Sequence, residues 1–436
     1  MFMTISYPDA IRWENDFNRW VQLGAELGAQ GLDAKLAELR CVLEQARADI
    51  QKLPVDLALA AAEPNDLEGI RSLRPSGRRR IWDELPVEEY RDRLLGAFLG
   101  RCAGCTLGSP VELFSVEKMS QWANHIGDDF PPTDYWSQVE RPHDLKYHVS
   151  PRAAFTPSQM NGVPTDDDII FTQLGLLILE DHGPNFTIAD VGEAWLKYVP
   201  YAHTAEEVAL DNLRAGVPAE EAADHNNPYN QYIGADIRSD PWGYAAPGLP
   251  EMAAELAYRD SFLSHRRNGI YSAMYFSAVI SAAFTVEDPV DALIIGLEEI
   301  PKDCLFAQGI RWSLDIADQI KDYRDANAAV NEAYGGMHTV HAINNGCLTV
   351  WGLTIGGRDF TRVIGETVAM SYDNDCTAAT AGSIAGAVLA KDGVPEHWWK
   401  NFNNQSLTYL TGQGTFEIDD LVDRFTVQAQ QVFGIA

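Results

Sequence analysis

Glycine recurs at every fourth position, Gly96, Gly100, Gly104 and Gly108, in a stretch beginning at Arg91 that otherwise reads as a helix. Positions four apart share one face of an α-helix, so these four make a stripe without side chains. Each glycine costs about 1 kcal/mol of helix propensity relative to alanine, a cost offset only where a neighbour needs the space. Ala378, Gly382, Gly386 and Ala390 repeat the device. Two flat-faced helices imply a tightly packed centre. Alternating β-branched runs are scarce and no internal repeat stands out, so the chain reads as all-α.

Two acid clusters stand just before apolar or small-residue segments of helical character: Thr165-Asp166-Asp167-Asp168 and Asp373-Asn374-Asp375-Cys376. A carboxylate is favoured at a helix N-terminus by free N–H groups and the helix dipole. Each cluster, however, holds more acid than one cap uses. If the fold brings them together, they form a site that repels itself unless cations fill it. Asp and Thr oxygens select Mg²⁺, Ca²⁺ or Mn²⁺ over zinc or copper. The four charges of Asp166, Asp167, Asp373 and Asp375 match two divalent ions. The competing reading is two ordinary surface caps.

Composition bounds the partners. With 33 basic against 63 acidic residues the net charge is −30, which disfavours nucleic acid and anionic membranes. A phosphate in a pocket whose sign a bound metal reverses is still allowed. Six cysteines in 436 residues are no disulfide framework. Cys102 and Cys105 form a CxxC without a second ligand pair and fit helix packing better than zinc. The start, through Asn15, is charged and lacks an apolar secretory core, and the weakly polar run Tyr271 to Phe284 is too short to span a bilayer. A soluble, cytoplasmic protein is expected.

The N-terminal part reads as helical, with Leu36, Leu39, Val42 and Leu43 at helical spacing. A Pro- and Gly-containing connection at 62–80 ends in Arg78-Arg79-Arg80, a solvated basic loop or, less simply, an anion site. The division drawn is 1–82, an N-terminal helical extension and connection, and 83–436, the main domain. Within the latter, 114–164 is loop-rich and proline-rich and reads as a surface wrap or lid. The stretch 224–250 is a second long irregular segment of the kind that is often functional.

Three motifs carry a resemblance: RLLGAFLGRCAGCTLGSPVE (93–112), PTDDDIIFTQ (164–173) and YDNDCTAATAGSIAGA (372–387). In this order and spacing the chain resembles the ADP-ribosylglycohydrolase family, over about 91–390. The resemblance implies a compact orthogonal helical bundle with a two-metal cleft, holding two Mg²⁺ or Mn²⁺. Its metal ligands would be Thr165, Asp166 and Asp167 on one side and Asp373, Asp375 and Cys376 on the other. Cys376 departs from the usual Thr or Ser, and a thiol suits Mg²⁺ poorly, so Thr377 or water would supply the oxygen, or one ion would bind more weakly. Asp168 also stands where a Thr is frequent.

Glu112 would be the movable glutamate that orients or deprotonates the attacking water, with Asp167 sharing catalysis. Ser109, Gly234, Asp236, Arg238, His265 and Tyr372 would contact substrate, Arg238 through phosphate or else in a structural salt bridge. His265 would pack under the metals or simply in the core. Tyr232, Trp242 and Tyr244 are candidates to stack a base, and Asn344 and Asn345 to face the cleft. The implied reaction removes ADP-ribose from a modified acceptor. Alternatives are N-ribosyl hydrolysis of a small nucleoside or ribosyl-phosphate metabolite, and a non-catalytic, crystallin-like binding protein.

Overall fold

The computed structural model describes residues 8–435; residues 1–7, part of the charged start read above, and Ala436 lie outside the described residues. Helices dominate, as the sequence led us to expect. The strands among the described residues form two small antiparallel ribbons: β1 (Leu145–Lys146) with β2 (Ser150–Pro151), and β3 (Gln405–Ser406) with β4 (Phe416–Glu417).

The chain divides into two compact units, Met1–Ala61 with Tyr334–Met337, and Ala62–Ala333 with His338–Ala436. In the smaller unit, α1 (Pro8–Glu26) and α2 (Leu32–Gln51) are joined through Gly28 and Gly31, both at positive φ. Glycine reaches that region without a Cβ clash, which lets the chain reverse in five residues. Phe17, Leu36, Leu39 and Leu43 line a groove shared by the two helices, while Val42 is exposed.

The larger unit begins at Ala62, so residues 62–82, which the sequence reading gave to the extension, belong to it. This segment is more than a connection. It contains a helix, Leu67–Leu73, whose N-cap Asp66 accepts from Gly69 N. Three of its basic residues are committed: Arg74 and Arg79 each reach the buried Glu299 at 2.8 Å, and Arg80 lies 3.5 Å from Asp83.

The helices that build the site are α3 (Val87–Gly108), α4 (Asp167–His182), α5 (Asn268–Ala283), α6 (Ala342–Gly356), α7 (Phe360–Ala369) and α8 (Asn374–Leu389). At the centre, α3 and α8 lie backbone to backbone. A Cβ added at Gly96 would stand 2.5 Å from Gly386 O, one at Gly100 2.1 Å from Gly382 O, and one at Gly104 2.0 Å from Ala378 O. At the far end a Cβ on Gly108 would meet Asp375 Cα at 2.4 Å. The glycine stripe is therefore the contact surface itself, and it runs into the second acid cluster. The span Val87–Val111 is apolar and long enough to cross a membrane, but 89% of its most apolar window is buried inside the protein; it is apolar because it is core. Every residue of α5 is buried, which accounts for the weakly polar run noted above. Cys102 and Cys105 are free, buried thiols of α3.

The closeness of α3 and α8 predicts an inverted alanine effect. Gly104→Ala places a methyl against a carbonyl that cannot yield, and should destabilise by about 1–3 kcal/mol, as overpacking does. Gly414, with nothing within 4 Å of an added Cβ, is the control: Gly414→Ala should be neutral or slightly stabilising in the same urea titration.

Candidate active site

The two acid clusters meet because α4 and α8 point their N-termini at the same place. Asp166 is the N-cap of α4, its Oδ1 accepting from Asp168 N at 3.2 Å. Asp373 is the N-cap of α8 but makes no side-chain cap bond; its own N–H donates to Asn345 Oδ1 at 3.2 Å. One carboxylate thus serves as a cap and the others are spare. A short 3₁₀ turn, Ser109–Val111, carries the chain from α3 to Glu112. Glu112, Asp373 and Asp375 each offer an oxygen within 4.8 Å of the others, and Cys105, Asp166 and Asp168 form a second such group.

Two protein cations hold this acid together. Arg101, fully buried on α3, donates to the Asp168 carbonyl at 3.0 and 2.6 Å and to the Ile237 carbonyl at 2.7 Å, and its guanidinium pairs with buried Asp240. Lys146, at the end of β1, is only 5% exposed at its side chain. Its Nζ lies 2.8 Å from Asp166 Oδ2, 3.1 Å from Asp375 Oδ2 and 3.4 Å from Glu112 Oε2, and it also bonds Ser109 Oγ. The sequence reading missed both. Lys146 sits in a proline-rich loop with no periodic pattern, and Arg101 is hidden among apolar helix residues.

Charge states follow from these neighbours. Burial pushes Asp167, Asp168 and Asp373 well above the usual carboxylate range, and adjacent carboxylates push the same way. Burial also works to raise Asp166, but Lys146 and the Ser109 hydroxyl outweigh it and hold Asp166 low. The charge of Asp375 and then burial raise Glu112 to about 7 against the pull of Lys146. Burial disfavours charge on Lys146, yet Asp166, Asp375 and Glu112 more than reverse this.

Above the acids opens a cavity of about 420 Å³, lined among others by Glu112, Lys146, Tyr147, Asp167, Asp373 and Asp375. Tyr147 donates from its hydroxyl to Asp167 Oδ1 at 2.6 Å. His203 and Tyr232 add aromatic wall, and Arg152 lies at its edge. Among the described residues the Arg152 side chain has neither an ion pair nor a hydrogen bond. The 114–164 segment read as a lid supplies Lys146, Tyr147 and Arg152.

Several expected substrate contacts lie elsewhere. Arg238 is buried in a salt-bridge network with Asp260 Oδ2 at 2.7 Å, Glu206 Oε1 at 2.6 Å and Ser264 Oγ at 2.9 Å, and it does not line the cavity. His265 is fully buried and takes part in a 2.8 Å hydrogen bond with Ser264 through Nδ1; burial and two nearby arginines hold it neutral. It is a core histidine. Asp236 is buried behind the cavity wall. Tyr372 donates to Asn331 Oδ1 at 2.9 Å, and Ser109 donates to Asp166 Oδ2 at 2.8 Å. Neither lines the cavity. Gly234 does line it; a Cβ there would strike the Glu206 carboxylate at 2.3 Å, so this glycine is what lets the network pack beneath the floor.

Of the aromatic candidates, Tyr232 reaches the cavity and stacks on His338 with centroids 4.7 Å apart, whereas Trp242 and Tyr244 are core. Asn344 and Asn345 cap the loop before α6, and Asn345 positions Asp373. Thr165 and Thr377 are buried and off the cavity wall, whereas Cys376 is on it. Burial raises the Cys376 thiol well above its usual range, so it offers a neutral sulfur.

The residues test the fit of a divalent ion. Asp375 Oδ1 is buried and has no hydrogen-bond partner, and Asp168 Oδ1 has none either, although Arg101 lies 3.5 Å away. With Glu112 and Asp373 adjacent, hard oxygen donors of this kind fit Mg²⁺ or Mn²⁺ at the Glu112–Asp373–Asp375 group.

Comparison with known proteins bears on the chain and its fold. The family model described as ADP-ribosylglycohydrolase matches residues 86–432. An uncharacterised protein of Archaeoglobus fulgidus is 22% identical over 343 residues, covering 77% of this chain and 99% of its own. A solved structure described as an ADP-ribosylglycohydrolase-related protein complex superposes with a TM-score of 0.50 at 18% identity, covering 79% of this chain and 99% of its own. That likeness shows the fold.

Arg101 gives a stability test. Arg101→Met strands Asp240 and two carbonyls in a dry core, and removing one partner of a buried pair costs about 3–5 kcal/mol. Chemical denaturation should show a loss of that size, against less than about 1 kcal/mol for the exposed-pair control Lys118→Met.

Proposed function

The chain belongs to the ADP-ribosylglycohydrolase family, is a glycohydrolase of that type, and from this premise we propose that its acid-floored cavity hydrolyses a ribosyl glycosidic bond, releasing ADP-ribose from a modified acceptor. The observation that carries the reading is the convergence of Glu112, Asp373 and Asp375 on one point, with Asp167 facing the same space.

The residues divide the work by their surroundings. Glu112 faces the cavity with about a third of its side chain exposed, 34%, so that one of its oxygens can bind an ion while the other takes the proton of an attacking water and returns one to the leaving acceptor. Asp373, Asp375 and Glu112 would hold Mg²⁺ or Mn²⁺, which when bound supplies a Lewis acid and a water of lowered pKa. Asp167, fixed by the Tyr147 hydroxyl, presents its remaining oxygen to the cavity, where a carboxylate favours the positive charge of an oxocarbenium-like transition state. Tyr147, His203 and Tyr232 give the sugar and its substituent an apolar wall. The Arg152 side chain, with no ion pair or hydrogen bond among the described residues, is the group available to a diphosphate.

A second reading, a smaller nucleoside or ribosyl-phosphate substrate, is favoured by one observation: Arg238, the arginine of the irregular loop, is spent on Glu206 and Asp260. The two separate cleanly in an assay. Wild-type protein should release ADP-ribose from ADP-ribosylated arginine or serine peptides; turnover of nucleosides with no release from any adduct would select the second. Asp167→Ala and Asp375→Ala should each lower activity at least about 100-fold with little change in melting temperature. Chelation should abolish turnover and added Mg²⁺ or Mn²⁺ restore it. Activity undiminished by chelation would remove the metal from the reading.

A further inference from the structure

We propose that the Lys146 ammonium is a tethered cation standing in for one of two divalent ions, so that this centre takes a single metal ion, at Glu112, Asp373 and Asp375. The inference rests on the metal-dependent reading above and deepens it. Nζ of Lys146 is placed where acids from three separate elements point: Asp166 at the cap of α4, Asp375 in the first turn of α8, and Glu112 beyond α3. Their oxygens are at 2.8, 3.1 and 3.4 Å. An ammonium has three N–H donors and no more; they go to Ser109 Oγ, Asp375 Oδ2 and Glu112 Oε2, with Asp166 Oδ2 held as an ion pair.

A divalent ion in the same place would need the same oxygens. Mg²⁺ binds oxygen at about 2.0–2.1 Å in near-octahedral geometry, and Asp166 Oδ2 and Asp375 Oδ2 cannot bind both it and the ammonium closely. What the lysine leaves is asymmetric. Asp375 Oδ1 is buried and unpartnered, and Asp373, free of any cap bond, stands beside it with Glu112. Asp166 retains only the oxygen that caps Asp168 N. One side of the centre still has donors for a metal; on the other, Asp166 is taken by the ammonium and Asp168 Oδ1 faces Arg101 at 3.5 Å.

The backbone that delivers Lys146 is built for the purpose. Between β1 and β2 the chain turns through Tyr147 at φ 50° and His148 at φ 59°. Positive φ at bulky residues is strained and persists only where surroundings impose it. Here they do. Tyr147 is tied by its hydroxyl to Asp167 at 2.6 Å, its carbonyl accepts from the Tyr201 hydroxyl at 2.5 Å, and Lys146 pairs with Ser150 across the ribbon. Lys146 is a fixed part of the floor. A second feature agrees: beside Asp375 the cavity presents the Cys376 thiol, which suits a hard ion poorly.

The test is the count of ions. Isothermal titration of the metal-free full-length protein with Mn²⁺, checked by manganese electron paramagnetic resonance, should give one ion per chain in wild type and in Lys146→Arg. Lys146→Met should give two. Two ions in wild type would overturn the proposal, because the lysine would then be displaceable. One ion in Lys146→Met would overturn it too, because the lysine would not be what limits the count. No binding by any of the three proteins would remove the metal reading itself, a result distinct from both. If Lys146→Met does not fold without metal, its melting temperature carries the test: recovery to near wild type in saturating Mn²⁺ supports the proposal, and no recovery overturns it.

Discussion

The backbone contact between α3 and α8 is the constraint on which the site depends. Three successive pairs, Gly96 with Gly386, Gly100 with Gly382 and Gly104 with Ala378, fix the two helices in one antiparallel register. The next step of the same register sets Gly108 against Asp375. A slip of one residue would turn a helix by about 100° and carry the acids away from Glu112 and Ser109. The cost in helix propensity is thus exchanged for positional accuracy at one end of the pair. No loop could hold three carboxylates to that tolerance without comparable support.

Such accuracy creates an electrostatic problem, and the protein answers it from two directions. From below, Arg101 of the same α3 helix grips the first turn of α4 through the Asp168 carbonyl, and its remaining charge is taken by Asp240. From above, the β1–β2 turn presses Lys146 between the clusters. The two cations act differently. Arg101 is a structural clamp whose removal strands buried acceptors. Lys146 lies at the cavity surface, where its charge decides how much further cation the acids can bind.

The framework was legible because its signals are local. Glycines four apart and acids at helix starts declare themselves within one or two turns, and so did the helical class; the meeting of the clusters stood as a condition that only the tertiary fold meets. Lys146 was illegible because its partner Asp375 is 229 residues away and nothing in the loop around it marks direction. Arg238 stood open between a phosphate contact and a structural salt bridge, and Glu206 and Asp260, neither of which stands out in the sequence, decide for the salt bridge. Trp242 and Tyr244 likewise had chemistry suited to a base, and were claimed by the core. In each case the residue's type was informative and its partner was not, since partners are set by tertiary packing.

This bears on how an acidic centre is counted. Matching Asp166, Asp167, Asp373 and Asp375 to two divalent ions assumes that the protein contributes no positive charge of its own. Here it contributes Lys146 directly between the clusters, while Glu112 and Asp168 add acid that the simple sum omitted. The net balance is therefore a property of the assembled site and cannot be read from the motifs that define the family. A loop lysine, unconstrained by either motif, can change the number of ions a centre needs while leaving every ligand aspartate in place. Members that share the Asp-Asp and Asp-x-Asp signatures can then differ in metal dependence, and the residue to compare among them is the one that the lid sets over Asp166.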